Sequence, residues 1–197
     1  MHSRSNIPSP LAKLPILLAL GSLACVGDDE PSTDPDAPLT LDERIEELSR
    51  CEPTDLEYLV QWSGPAFDPE TGALLEPLPD GHVEAIVNGW AIRDDEALEL
   101  RIEHATNVLA DLYTRDGFLG FESVESVECD IAFSHSLWRD EAAMYEFVVG
   151  GPHAAAMSQA SKMHHAVAGA HWTNPTRTEP PTWQEGLAAF IDALSAD

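Results

Sequence analysis

Asn88, His135, Trp138 and His153 are the side chains in this sequence whose types and settings could do chemistry. His135 lies in Ile131-Ala-Phe-Ser-His-Ser-Leu-Trp138, where Ile131, Phe133, His135 and Leu137 alternate with Ala132, Ser134, Ser136 and Trp138. An imidazole on the apolar side of such a run is either a hydrogen-bonded buried group or a general base. Trp138 ends the run, where an indole either packs a strand end or lines a cavity. Asn88 sits in a second alternating run and offers hydrogen bonds from one strand face. His153 follows Gly150-Gly151-Pro152, where it either secures the break or exchanges protons. His164, His165 and His171 have no standard zinc spacing, which leaves a site from His153, His164 and His171 as the only metal candidate. The chain carries no Gly-x-Ser-x-Gly, Cys-x-x-Cys or phosphate-binding loop.

The elements that must position these residues follow from periodicity. Alternation predicts strands at 57–62, 82–93, 118–127, 129–138 and 166–172. Helical spacing predicts a helix over 41–50 capped by Thr40, with Leu41, Ile45 and Leu48 on one side. A longer helix follows Asp94-Asp95, with Leu98, Ile102, Ala105, Leu109 and Leu112 as its expected core stripe. Asp140 caps a third helix, with Met144, Phe147 and Val148 at helical spacing, and a short one starts near His153. Thr182 and Glu185 form a capping box before a last helix striped by Trp183, Leu187, Phe190, Ile191 and Leu194. Residues 67–81, rich in Pro and Gly, read as a long loop.

From residue 82 the order strand, helix, strand, strand, helix, strand is the ferredoxin-like βαββαβ order, an α+β antiparallel sheet with helices on one face. The uncovered face needs a partner. Pairing two such sheets would close a dimeric α/β barrel, so a homodimer is expected. The competing outcome is that segment 41–81 or the last helix folds over that face.

Residues 1–24 read as a signal peptide: Arg4 and Lys13 precede an apolar run that ends at Ala24-Cys25. Lipidation of Cys25 is the expected processing, although Ser22 departs from the usual lipobox and simple secretion is the alternative. Residues 25–40, acidic and Pro-rich, read as a disordered tether. Residues 41–81 are read as an N-terminal extension packed on a domain spanning 82–197. The expected location is therefore the bacterial cell envelope, periplasmic or surface-exposed, with the membrane reached through the lipid alone. A formal net charge of -25 argues against nucleic acid and anionic bilayers as partners. With Cys25 set aside, Cys51 and Cys129 remain, and in an oxidising compartment they are expected to pair; two separate buried thiols are the alternative.

Two motifs resemble the antibiotic biosynthesis monooxygenase-like family of dimeric α/β barrels. One is Asp116-Gly-Phe-Leu-Gly-Phe121. The other is Leu137-Trp138-Arg-Asp-Glu-Ala-Ala, followed by Pro152-His153-Ala-Ala-Ala-Met157. The resemblance covers roughly residues 82–172. It implies a barrel that binds a small apolar or aromatic molecule and oxidises it without a bound cofactor. Trp138 would stack on the ligand, Asn88 and His135 would hydrogen-bond it, and a His would take the proton. The family's haem-degrading branch leaves haem as the alternative cofactor. Asn88 matches that branch's first motif, while Phe147 and Met157 stand where its other two residues would be. A non-enzymatic dimerisation or binding module is the third reading.

Overall fold

The computed structural model describes residues 39–195; the leader, Cys25 and the tether up to residue 38 lie outside the described residues. In chain order the elements are α1 (Leu41–Arg50), β1 (Glu57–Ser63), β2 (His82–Ala91), α2 (Asp95–Leu112), β3 (Phe118–Ser126) and β4 (Ile131–Trp138). They continue with α3 (Glu141–Val148), α4 (Gly151–Ser158), α5 (Ala160–Met163), β5 (His164–Asn174) and α6 (Trp183–Leu194). The strands form one antiparallel sheet in the order β1-β3-β4-β2-β5. Without β1, that is the ferredoxin-like order expected from residue 82. Segment 41–81 contributes β1 as a fifth, edge strand beside β3.

The helices start where local chemistry allows. Thr40 and Glu43, and Thr182 and Glu185, form reciprocal capping boxes, while Asp94 and Asp140 each accept a backbone N–H at the start of α2 and α3. The ferredoxin-like helices α2 and α3 lie on one sheet face, around a cluster of Leu112, Phe118, Phe121, Trp138, Met144 and Phe147.

The closed dimeric barrel is not formed: the sheet is open, with β1 and β5 at its edges. The face expected to pair with a second sheet is covered by the chain itself. Ile86, Trp90, Ile131 and Phe133 pack there with Leu48 of α1 and Phe190 of α6. Trp62, Phe67 and Leu78, from β1 and the following loop, cover the neighbouring part together with Leu137. The physical reason is economy of chain entropy: tethered amphipathic helices bury this apolar face without the translational loss that a second subunit incurs. Cys51, at the C-cap of α1, is disulfide-bonded to Cys129 in the β3–β4 turn, with Cα atoms 5.7 Å apart. Among the described residues, no helix is long and apolar enough to cross a membrane.

The α2 stripe also differs from the expected one. Leu98, Ile102 and Ala105 are exposed, Leu109 and Leu112 pack inward as expected, and Ala97, Arg101, His104 and Val108 complete the less exposed side. Hydropathy alone misplaces the first half of the helix because an arginine can bury its aliphatic stem along a packed face.

Candidate functional site

The two faces of the sheet are packed very differently. Toward α1 and α6, His82, Glu84, Ile86, Asn88 and Trp90 of β2 are all buried, as are Ile131, Phe133, His135 and Leu137 of β4. Toward α2 and α3, the intervening positions Ala85, Val87, Ala132, Ser134 and Ser136 remain partly accessible, and Gly169 is exposed. Register makes these positions contiguous. Ser123 of β3 pairs with Ser134, Ser134 with Val87, and Val87 with Gly169, while Ser136 and His171 flank Ala85 on either side. Small side chains on one face lie opposite bulky ones on the other, and they form a partly accessible floor that spans four strands.

Trp138 lies at the end of this floor. Its indole is fully buried between Phe118, at 5.6 Å, and Phe147, at 5.1 Å between ring centroids. Its Nε1–H donates to Ser136 Oγ over 3.0 Å, and that hydroxyl donates to the Ala85 carbonyl. His153 continues the stack beyond Phe147, 4.8 Å away between ring centroids, and its Nδ1 meets the Val148 carbonyl at 3.0 Å. Burial pushes the His153 imidazole below its ordinary pKa, against the opposing effect of that carbonyl, so the neutral form is favoured. On the open side of the floor, the Tyr145 hydroxyl is 3.2 Å from His171 Nε2.

His135 and Asn88 are on the opposite face, so the structure does not bring them to Trp138. Asn88 Oδ1 accepts from Ala132 N–H, where the β2–β4 ladder runs out. His135 is the centre of a buried charge cluster. Its Nε2 is 3.3 Å from Glu84 Oε2 of β2, and its Nδ1 is 3.8 Å from Glu122 Oε1 of β3. Glu84 also faces His82 at 3.4 Å and Arg177 at 3.6 Å. Burial alone would raise the Glu84 pKa, but His135, His82 and Arg177 together bring it down to about 2. Burial alone would lower that of His135, and the two glutamates overcome this and raise it. Trp62 stands edge-on to the ring at 4.9 Å, and α6 approaches so closely that a Cβ on Gly186 would lie 3.0 Å from it. Ligand access to this cluster is closed by aromatic rings and α6, which marks it as structural.

Among the described residues, no group of three His, Cys, Asp or Glu is arranged to hold a metal ion, and His153, His164 and His171 are not gathered into one. The residues that sequence reasoning missed are the small ones of the floor and Glu84 and Glu122 beneath His135. Their signal was the same strand alternation, read for size rather than hydropathy.

No protein-family model matches the chain, and no curated protein matches it. Solved structures with a similar fold include a Fusobacterium nucleatum protein at 9% identity and TM-score 0.47, covering 64% of this chain and 56% of that one. A Mycobacterium tuberculosis protein matches at 14% identity and TM-score 0.42, over 47% of this chain and 94% of its own. SnoaB, a cofactor-independent oxygenase from Streptomyces nogalater, matches at 12% identity and TM-score 0.37, over 52% of this chain and 99% of its own. At these identities and TM-scores the likeness decides nothing about chemistry.

Proposed function

We propose that the protein binds a small apolar or aromatic molecule in the cleft between the sheet and the α2–α3 layer. The observation that carries this reading is the asymmetry of burial in β2 and β4: their positions facing α1 and α6 are all buried, while on the other face Ala85, Ser134, Ser136 and, in β5, Gly169 stay accessible beside a buried aromatic stack. Ligand sites combine such apolar walls with a few polar groups, here the serine hydroxyls and the Tyr145–His171 pair. The test is a titration with N-phenyl-1-naphthylamine, a neutral probe that fluoresces in apolar surroundings. Saturable binding at one site is expected, with at least tenfold weakening in Ser134→Leu, whose side chain fills the floor. Unsaturable binding, or a folded Ser134→Leu variant that binds unchanged, would refute the cleft.

The finer reading is oxidation of the bound molecule without a bound cofactor. It is favoured by the placing of His171 and Tyr145 at the open side of the floor, where an imidazole can take a proton from the ligand. Ligand-dependent oxygen uptake that is lost in His171→Ala, with probe binding retained, is the expected signature.

Anchoring is a separate part of the proposal. Ala24-Cys25 after an apolar run, followed by an acidic segment, supports a mature protein that starts at a lipidated Cys25 in the bacterial envelope. Intact-mass analysis of membrane-extracted protein should show diacylglyceryl modification at Cys25. An unmodified Cys25 would remove the anchor from this picture.

A further inference from the structure

Carboxylates outnumber cations heavily in this chain, 35 Asp and Glu against 10 Lys and Arg. Almost every arginine should therefore find an acidic partner. Among the described residues, Arg44, Arg50, Arg93, Arg115, Arg139 and Arg177 do. Arg101 does not: it makes no ion pair, and its Nε is buried without an acceptor. It sits on the less exposed side of α2, one turn before His104, and lines a cleft of about 300 Å³ with Leu98, Arg93, Glu125 and Val127. Glu125 pairs with Ala132 of the floor, so this cleft adjoins the floor described above.

Three of the acids near Arg101 are engaged elsewhere. Glu125 is held by Arg93 at 2.9 Å, and Asp130 by Arg93 at 3.2 Å and Arg44 at 3.7 Å. Asp55 accepts from the Ser126 hydroxyl and from the backbone N–H groups of Val127 and Glu128. Glu57 also lines the cleft, at its β1 side. A second buried nitrogen has no partner and feels the charge of Arg101: His164 Nδ1. The His164 ring lies on Gly89, where any Cβ would come within 2.4 Å of it, so that glycine is what admits the imidazole between sheet and α2. Burial first, and the charge of Arg101 second, bring the His164 pKa down to about 4, so the ring is neutral at pH 7.

We infer that Arg101, with His164 beside it, receives an anionic group of the ligand, so that the natural ligand is an apolar or aromatic carboxylic acid. This rests on the cleft proposed above and narrows its ligand to one class. A guanidinium with no carboxylate of its own supplies a fork of donors to a carboxylate, and half-burial makes that bond stronger than one in water. The overall charge of -25 repels anions, so a preference for a carboxylate can only come from a local group.

The test compares 2-naphthoate with 2-naphthylmethanol by calorimetry, on the wild-type chain, Arg101→Gln and Arg101→Lys. The wild type should bind the carboxylate at least tenfold more tightly than the alcohol. Arg101→Gln should lose that preference while its affinity for the alcohol stays within twofold, and Arg101→Lys should keep part of it. NMR titration should show the His164 pKa rising when 2-naphthoate is bound, since an anion offsets the effect of Arg101. Equal affinity of the wild type for both probes, or a preference that survives Arg101→Gln, overturns the anion site while leaving the cleft in place. Failure of both probes to bind overturns both. Removing an unpartnered charge should not lower the melting temperature, so loss of preference in Arg101→Gln would not reflect unfolding.

Discussion

Replacing Cys51 and Cys129 together by Ser should destabilise the protein by about 4 kcal/mol, the loop-closure entropy of a long covalent loop in the chain-entropy model. The two residues are separated by 78 positions, so the bond removes a large share of the unfolded chain's freedom. Its local effect is sharper. Leu48 is the one fully buried side chain of α1, with Leu41 and Ile45 partly buried against the same cluster, and Arg44–Asp130 at 3.7 Å is the ion pair that joins α1 to the β3–β4 turn. Without the disulfide, α1 depends on that burial and its contact with α6, and it should release before the sheet unfolds. Thiol titration of denatured, unreduced protein should find neither cysteine free. In the double variant the urea midpoint should fall, and trypsin should cut after Arg44 and Arg50 much faster than in wild type. Two free thiols at these positions, or unchanged cleavage, would contradict this account.

Much of the framework could be read from local pattern. The strand runs, the caps at Thr40, Asp94, Asp140 and Thr182, and the βαββαβ order all depend on residues close in sequence. What local pattern could not supply was the docking of α1 and α6. Their apolar stripes were visible, but the face they cover is built from strands far away in the chain, and a second subunit satisfied the same hydrophobic requirement. The site was less legible than the fold. His135 was rightly placed among apolar neighbours by alternation, yet the same alternation puts Glu84 beside Ile86 and Glu122 beside Val124. Charged residues in strands are usually assigned to solvent, so a buried carboxylate pair went unread. Arg101 was hidden for a related reason: apolar positions alone set the expected face of α2.

His135→Gln should cost about 3–5 kcal/mol at pH 6.5, the usual penalty for leaving buried charges without their counter-ion. The imidazolium lies between Glu84 and Glu122, and the groups that face this cluster are His82, Arg177, Tyr58 and Glu185. Removing the ring's charge leaves two glutamates under α6 with only the Arg177 guanidinium to balance them. The pH dependence carries the sign. The folded pKa of His135 is raised, so its contribution is fully present below the unfolded value of about 6.5 and is lost as pH rises through the folded value. His164 and His153 act oppositely. Their folded pKa values are depressed, so their contribution is present above about 6.5 and is lost as pH falls, toward about 4 for His164. Glu84, held at about 2, adds stability above the ordinary glutamate pKa of about 4.3 and gives it up in stronger acid. Wild-type stability should therefore peak near neutrality and decline as pH rises through the raised folded pKa of His135. Urea denaturation across pH 4.5 to 9 measures this directly. In His135→Gln the alkaline decline should vanish while the acidic decline from His164 and His153 remains. A variant that keeps the alkaline decline, or that matches wild type within 1 kcal/mol at pH 6.5, would show that the ring is neutral in the fold and that the glutamates are balanced from elsewhere.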